Sequence, residues 1–165
     1  MIIVDTGVLY ALADRRDTHH KACARWLAAA PRPLIVPPLV IAETCYLIGQ
    51  HLGATAEATF LDAFKPGQTL SLGDFLEEDV MRMAVLVRQY ADLKLGGTDA
   101  AVIATAERLG ITRVATVDRR HFTVVRPKHV GSFRAVGVAS ADRLSGTAAR
   151  HMPRSGHVTW PMRAR

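Results

Sequence analysis

The chain has 165 residues, 49% of them hydrophobic and 22% charged, a composition typical of one folded domain that excludes a largely disordered protein. Its net charge of +6 is uneven: residues 139–165 hold five arginines and one aspartate, a charge of +4, and the other 138 residues carry the remaining +2. We therefore predict one globular domain over residues 1–138 and a basic, poorly ordered tail over residues 139–165. The basic tail would suit a polyanionic partner, and its simpler interpretation is a solvated extension.

Neither Cys23 nor Cys45 belongs to a CxxC pair or a Cys/His cluster. Free thiols in a reducing compartment are expected, and zinc is not. The apolar run at the start of the chain stops at Asp5, and no uninterrupted apolar stretch approaches the ~20 residues that a membrane helix needs. The sequence therefore predicts a cytoplasmic protein that does not interact with a membrane.

The first half of the chain alternates short apolar runs with helical patterns. The apolar runs are β-branched and lack polar alternation, which is typical of strands buried on both faces. Prolines and glycines separate the elements. The predicted elements are, in order, a strand at 2–4, a helix over 19–30 capped by Asp17 or Thr18, a strand at 34–36, a helix from Pro37 and Pro38 to Gly49 or Gly53, and a helix over 54–66.

The second half continues the same alternation. A capping box of Asp74 and Glu77 starts one long helix, and Gly110 ends the next. The predicted elements are a strand at 69–72, a helix from Asp74 to about Tyr90, a helix over 99–110 capped by Thr98, and strands at 113–117 and 122–125. Strands that alternate with helices predict an α/β fold with a mostly parallel sheet flanked by helices.

Glu43 interrupts the apolar helix in "PPLVIAETCYLI". It follows Leu39 by four residues, follows Val40 by three and precedes Leu47 by four, so the helical period places all four on one face. A carboxylate on a buried face needs a partner. We expect a positive group, either a metal ion or a lysine, to meet Glu43.

Three aspartates occupy comparable positions. Asp5 and Asp118 each follow a predicted buried strand, and Asp99 lies in the first turn of an apolar helix. Side chains at the carboxyl ends of parallel strands meet at one edge of the sheet. If the two strands are neighbours, these three aspartates and Glu43 converge, and a hard cation such as Mg²⁺ or Mn²⁺ would relieve their repulsion.

Each of the three aspartates also has a simpler interpretation. Asp99 fits a first-turn acid favoured by the helix dipole. Asp5 fits a turn residue before Thr6 and Gly7, and Asp118 fits a surface salt bridge with the arginines that follow it. Chance placement explains any one of the acids more readily than it explains all four together. The sequence therefore favours an acidic site.

Motifs for other chemistries are missing from the sequence. His121 lies close to Asp118 in the chain and is interpreted as an ordinary loop residue, although it could touch a substrate. Gly96 and Gly97 are interpreted as a hinge or a turn, because no phosphate-binding GxGxxG or GxxxxGKS occurs. The lack of GxSxG argues against acyl transfer.

Four segments in order resemble the PIN-domain ribonucleases, and specifically the VapC-type toxins of bacterial toxin–antitoxin pairs. They are "IIVDTGVLYALAD", "VIAET", "YADLKLGGTDAAVIATAERLG" and "VATVDRRHF". Their order and spacing agree with the family across residues 1–126. The resemblance implies a three-layer α/β/α fold and an endoribonuclease that depends on Mg²⁺ or Mn²⁺. It also implies a homodimer and inhibition by a cognate antitoxin that covers the active groove.

The resemblance assigns roles to individual residues. Asp5, Glu43, Asp99 and Asp118 match the acidic quartet of the family, and Thr6 and Thr116 match hydroxyls beside it. Asp92 matches an additional acid with a less defined role, and Gly7 stands where serine is common. Candidates for phosphate contacts, chosen by position, are Arg15, Arg16, Arg119 and Arg120.

The mechanism that follows is hydrolysis of an RNA phosphodiester bond. Asp5 and Asp99 would hold one ion directly, and Asp118 and Glu43 would act through water or place a second ion. Two alternatives remain open. A receiver-like phosphoacceptor domain would need an acidic pair at the end of its first strand, and Asp5 has no acidic neighbour. A non-catalytic RNA-binding or partner-binding relative would be favoured by a neutral residue in the quartet, and all four are acids.

Overall fold

The computed structural model describes residues 1–137, so the prediction for the tail over residues 139–165 falls outside the described residues. The described elements alternate as expected. In chain order they are β1 (Ile2–Val4), α1 (Thr6–Ala13), α2 (His20–Ala29), β2 (Leu34–Val36), α3 (Pro38–Leu52), α4 (Ala54–Leu61), β3 (Leu70–Leu72), α5 (Glu77–Gln89), α6 (Gly97–Leu109), β4 (Arg113–Thr116), α7 (Arg120–Val124) and β5 (Arg134–Gly137).

The five strands form one parallel sheet in the order β3-β2-β1-β4-β5. The first strand of the chain is central: Ile3 pairs with Ile35 on one side and with Val114 on the other. Ile2, Ile3 and Val4 are fully buried, as a β-branched run covered by helices on both faces should be. The predicted α/β/α architecture is confirmed.

The pairing of β1 with β4 brings distant parts of the chain to one edge of the sheet. Both strands run in the same direction, and the backbone N–H of Asp5 donates to the carbonyl of Ala115 at 3.0 Å. The residues that follow the two strands therefore emerge side by side, as expected at the carboxyl edge of a parallel sheet.

Helix α6, which carries Asp99, is held on two sides. Residues 100–106 of this helix are all buried, and four of them are alanines, which allow close packing against neighbouring elements. Ion pairs join α6 to α5: Arg82 contacts Glu107 at 2.7 Å, and Arg108 contacts the buried carboxylate of Asp79 at 3.0 Å. The ion pairs hold the C-terminal end of α6 against α5, and the buried residues anchor the rest of the helix.

Several predicted boundaries were wrong. A strand was predicted at residues 122–125, but residues 122–124 end helix α7 and Val125 is its C-cap. Phe122 is buried against Phe133, and the backbone N–H of Val125 donates to the carbonyl of His121. Strand β5 and helix α1 were not predicted. Helix α5 begins at Glu77, where Asp79 accepts a hydrogen bond from the backbone N–H of Leu76, so Asp74 is not its cap.

Helix α6 begins at Gly97, with Gly96 as its N-cap, so Thr98 lies inside the helix. Helix α3 ends before Gly53, one of the two predicted stops. None of the helices within residues 1–137 is both long and apolar enough to cross a bilayer.

Candidate active site

Asp5 is a buried carboxylate between β1 and α1. It is the N-cap of α1 and is 8% exposed. Its Oδ1 accepts a hydrogen bond from the backbone N–H of Thr6 at 2.8 Å, and its Oδ2 accepts one from Thr116 Oγ1 at 2.8 Å. Burial raises the pKa of Asp5 to about 6 despite these two hydrogen bonds, and the negative charges of Asp99 and Glu43 add to the rise.

Glu43 occupies a different face of its helix from the predicted one. The buried residues of α3 are Val40, Thr44 and Ile48, whereas Glu43 is exposed. Its Oε2 accepts a hydrogen bond from Thr6 Oγ1 at 2.6 Å, and Thr6 is buried. The prediction that Glu43 lies on a buried apolar stripe is therefore wrong, and the described contact is with a hydroxyl at the edge of the site.

Asp99 lies in the first turn of α6, and its side chain is 22% exposed. Its Oδ2 lies 2.9 Å from His121 Nδ1 and 3.4 Å from the backbone N of Gly96. Burial raises the pKa of Asp99, the charge of Glu43 raises it further, and His121 opposes the rise. Asp5, Glu43 and Asp99 are therefore close enough to repel one another.

Asp118 follows β4 and turns towards solvent. Arg120 contacts both of its oxygens: Nε lies 3.0 Å from Oδ1, and Nη2 lies 2.6 Å from Oδ2. The backbone N–H of Arg120 donates to Oδ1 at 3.0 Å. These hydrogen bonds from Arg120 lower the pKa of Asp118 to about 2. The surface salt bridge considered from the sequence is therefore present, and it involves the second of the two arginines.

Thr116 links Asp5 to Asp118. Its hydroxyl is buried, lies 2.8 Å from Asp5 Oδ2 and 2.9 Å from the carbonyl of Asp118, and accepts from the backbone N–H of Asp118 at 3.1 Å. One hydroxyl carries one proton, so it donates to either the carboxylate or the carbonyl at a given moment. Thr116 therefore fixes the segment after β4 against the buried acid.

The four acids do not yet surround a point where a cation could sit. Within residues 1–137, no three His, Cys, Asp or Glu side chains already form a group that could hold a metal ion. The chemistry of the donors nevertheless fits a hard cation, since Asp5, Glu43 and Asp99 offer oxygen atoms and repel one another without a positive charge between them. Asp118 would have to turn away from Arg120 to join them.

His121 is the residue that the sequence interpretation underestimated. It lies on α7, three residues after Asp118, and its Nδ1 donates to Asp99, since an ionised carboxylate can only accept. Its charge lowers the pKa values of both Asp99 and Asp118. The sequence signal for this role was its place in "DRRHF", three residues after Asp118, which is about one helical turn.

The other candidates are dispersed. Asp92 lies in a short 3₁₀ turn and is exposed, and the interactions described for the quartet do not include it. Arg15 and Arg119 are exposed, and Arg16 pairs with Asp14 at 3.4 Å. The structure therefore brings three of the acids, the two threonines and His121 together, and leaves Asp118 directed at Arg120.

Packing explains why residue 7 is a glycine and not a serine. A Cβ at this position would lie 2.5 Å from Cγ2 of Val117, on the strand end that carries Asp118. We expect Gly7→Ser to lower the free energy of unfolding by about 1–3 kcal/mol, because the short branched side chain of Val117 cannot move aside freely. Chemical denaturation of Gly7→Ser, Val117→Ala and the double variant measures this. The double variant should be more stable than Gly7→Ser alone, and simple additivity of the two changes would contradict the steric explanation.

Comparisons with known proteins identify relatives of this chain. The family model described as the PIN domain matches residues 2–126. Ribonuclease VapC26 of Mycobacterium tuberculosis is 31% identical over 135 residues, which is 82% of this chain and 99% of that protein.

Two crystal structures share the fold. VapC20 of Mycobacterium tuberculosis, whose structure is described as that of a sarcin-ricin loop cleaving toxin, has a TM-score of 0.67 at 20% identity and covers 72% of this chain and 90% of its own. FitAcB from Neisseria gonorrhoeae has a TM-score of 0.53 at 19% identity, over 74% of this chain and 91% of its own. With its central parallel sheet, its acids at one sheet edge and a family match over residues 2–126, the chain belongs to the PIN-domain family, among the VapC-type members.

Proposed function

We propose that this chain is an endoribonuclease that hydrolyses RNA phosphodiester bonds with the help of Mg²⁺ or Mn²⁺, and that it acts as the toxin of a toxin–antitoxin pair. The observation that carries the proposal is Asp5, a buried carboxylate whose pKa is raised to about 6 beside Asp99 and Glu43. Such a group costs free energy unless a cation joins it. The likeness to Ribonuclease VapC26 over almost its whole length supports RNA as the substrate.

In this proposal Asp5 and Asp99 would hold one ion directly, and Asp118 and Glu43 would act through water or place a second ion. A bound divalent ion supplies a water molecule of lowered pKa and a positive charge for the phosphate. The chain holds the carboxylates in place: Thr116 and the backbone of Thr6 orient Asp5, and the hydroxyl of Thr6 orients Glu43. No side chain of the protein serves as the nucleophile.

Arg15 and Arg119 are the proposed contacts to RNA phosphates. Both are exposed, and Arg119 immediately follows Asp118. Contacts of this type position the nucleic acid without reading its bases. His121, held against Asp99, is placed to orient that carboxylate.

A cognate antitoxin and a second copy of the chain are proposed as protein partners. The exposed apolar side chains of α5, among them Val80, Met81 and Val85, support a protein-binding surface on that helix. Light scattering of the purified chain, alone and with an antitoxin, measures both assemblies.

The test of the activity uses purified protein freed of co-purified antitoxin and incubated with total bacterial RNA in Mg²⁺, Mn²⁺ or EDTA. Discrete fragments are expected with metal and not with EDTA. Asp99→Asn, which removes a charge but little volume, is expected to lose cleavage by more than about 100-fold while its circular dichroism spectrum stays that of the wild type. Full cleavage by folded Asp99→Asn would contradict the ligand assignment, and no cleavage by folded wild-type protein would favour the non-catalytic binding module.

A further inference from the structure

Arg120 occupies Asp118 on both carboxylate oxygens. Its backbone N–H and Nε contact Oδ1 at 3.0 Å each, while Nε and Nη2 contact Oδ2 at 3.1 and 2.6 Å. A fork of this kind gives the ion pair a defined two-point geometry. Asp118 is therefore already neutralised by a cation that belongs to the protein.

The same contact keeps Asp118 out of the cluster formed by the other acids. Burial and neighbouring negative charges raise the pKa values of Asp5 and Asp99, whereas hydrogen bonds from Arg120 lower the pKa of Asp118 to about 2. The segment that carries Asp118 is nevertheless fixed near Asp5 by Thr116. A change in the side-chain torsions of Asp118, without a change of fold, is enough to redirect its oxygens.

Arg120 is able to leave. Its side chain is 82% exposed, and it extends from the first residue of the short helix α7, so the guanidinium can swing into solvent without opening the core. Ion pairs at such exposed positions are weak, because water and salt screen both partners. A divalent cation placed among three further carboxylates is a stronger partner for Asp118 than one exposed guanidinium.

We propose that Arg120 and the divalent cation compete for Asp118, so that Arg120 serves as a built-in counter-ion that is released when the cation binds. The proposal rests on the metal dependence proposed above. It makes cation affinity depend on a residue that is not a ligand. A guanidinium released at the edge of the site is also a suitable bidentate partner for a phosphate group.

Titration with Mn²⁺, followed by the electron paramagnetic resonance signal of the free ion in 0.15 M KCl, tests the competition. Arg120→Gln is expected to bind Mn²⁺ about two- to fivefold more tightly than Arg119→Gln. Arg119→Gln is the matched control, since it removes the same charge from the adjacent exposed position and therefore reproduces the long-range electrostatic effect. Equal affinities of the two variants, or weaker binding by Arg120→Gln, would overturn the proposal.

A second measurement observes the arginine itself in the wild-type protein. The Nε–H signal of Arg120 in a nitrogen-15 NMR spectrum should move towards that of a solvated guanidinium as Mg²⁺ is added. The shift should follow the Mg²⁺ occupancy that is measured by competition with Mn²⁺. A signal that stays unchanged at saturating Mg²⁺ would mean that Arg120 remains on Asp118, and would overturn the proposal. Failure of the wild-type protein to bind either ion would instead refute the proposed metal dependence, and the competition with it.

Discussion

Replacing Asp5 with asparagine is expected to abolish RNA cleavage and, without metal, to make the folded protein more stable at neutral pH. Removing a direct cation ligand should reduce cleavage by more than about 100-fold. The buried charge of Asp5 is unfavourable in the metal-free fold, and its pKa near 6 corresponds to about 3 kcal/mol at pH 7.5 relative to an ordinary aspartate. Asparagine keeps the N-cap of α1, so most of that free energy, about 2 kcal/mol, should be recovered.

The pH dependence has a definite sign. Between about pH 4 and pH 6 the folded wild-type protein keeps a proton on Asp5 that the unfolded chain has released, so its free energy of unfolding falls as the pH rises through this window. Asp5→Asn lacks this contribution. Urea unfolding in EDTA should therefore show a variant that is more stable than the wild type at pH 7.5 and about equal to it near pH 4.

Adding Mg²⁺ or Mn²⁺ should reverse this order. A cation that binds only the folded state raises its free energy of unfolding, and the gain grows with the logarithm of the cation concentration once this exceeds the dissociation constant. This gain is expected for the wild type and not for the variant. An Asp5→Asn protein that is less stable than the wild type in EDTA at pH 7.5 would contradict the electrostatic account. One that still cleaves RNA would contradict the assignment of Asp5.

The second large effect is on stability alone. Asp79 is 1% exposed, and its carboxylate accepts from Arg108 Nε at 3.0 Å and from the backbone N–H of Leu76 at 2.9 Å. Asp79→Ala leaves the largely buried guanidinium of Arg108 without this partner and the start of α5 uncapped. The free energy of unfolding should fall by about 3 kcal/mol, which lowers the melting temperature by roughly 10 °C.

Glu78→Ala is the matched control for this change. Glu78 is the preceding residue, its side chain is 67% exposed, and it lies 4.0 Å from Arg108 Nε. Its loss should change the free energy of unfolding by no more than about 0.5 kcal/mol. Calorimetry of the two variants compares a buried and an exposed partner of the same arginine. Similar losses of stability in both variants would argue that the burial of Asp79 is not what joins α5 to α6.

The positions of the aspartates could be predicted because they follow from backbone rules. Asp5 and Asp118 follow short β-branched strands, and parallel strands direct their carboxyl ends to one edge. The choice of neighbours was the uncertain step, since nothing local in residues 2–4 or 113–117 specifies that they pair. The family resemblance, rather than periodicity, implied that the acids form one quartet.

The orientation of Glu43 could not be predicted from its period. Helix α3 carries apolar side chains on most of its circumference, so a face through Leu39 and Leu47 and a face through Thr44 and Ile48 fit the pattern equally well. Packing against α1 and α6 selected the second face. A threonine on the buried side, satisfied by the carbonyl of Val40 at 2.6 Å, is a local solution that a count of apolar positions does not anticipate.

The segment after Asp118 was mispredicted for a related reason. The β-branched run in "FTVV" favours a strand, but the turn that starts at Arg119 closes a helix and buries Phe122 instead. This difference decides the site, because the helix brings His121 back to Asp99 and places Arg120 on Asp118. In this five-residue segment, the intrinsic preference of the sequence favours a strand, whereas tertiary packing favours a helix.

The hydrogen bond between Thr116 and Asp5 joins residues 111 positions apart. During synthesis the chain emerges from its amino end, so Asp5 leaves the ribosome long before the strand that must lie beside it. Until β4 has emerged and paired with β1, the acids at the sheet edge cannot come together. Contacts between residues so far apart in the sequence also form slowly. An unfinished chain therefore lacks the assembled acidic site, which forms only when translation of the domain is nearly complete.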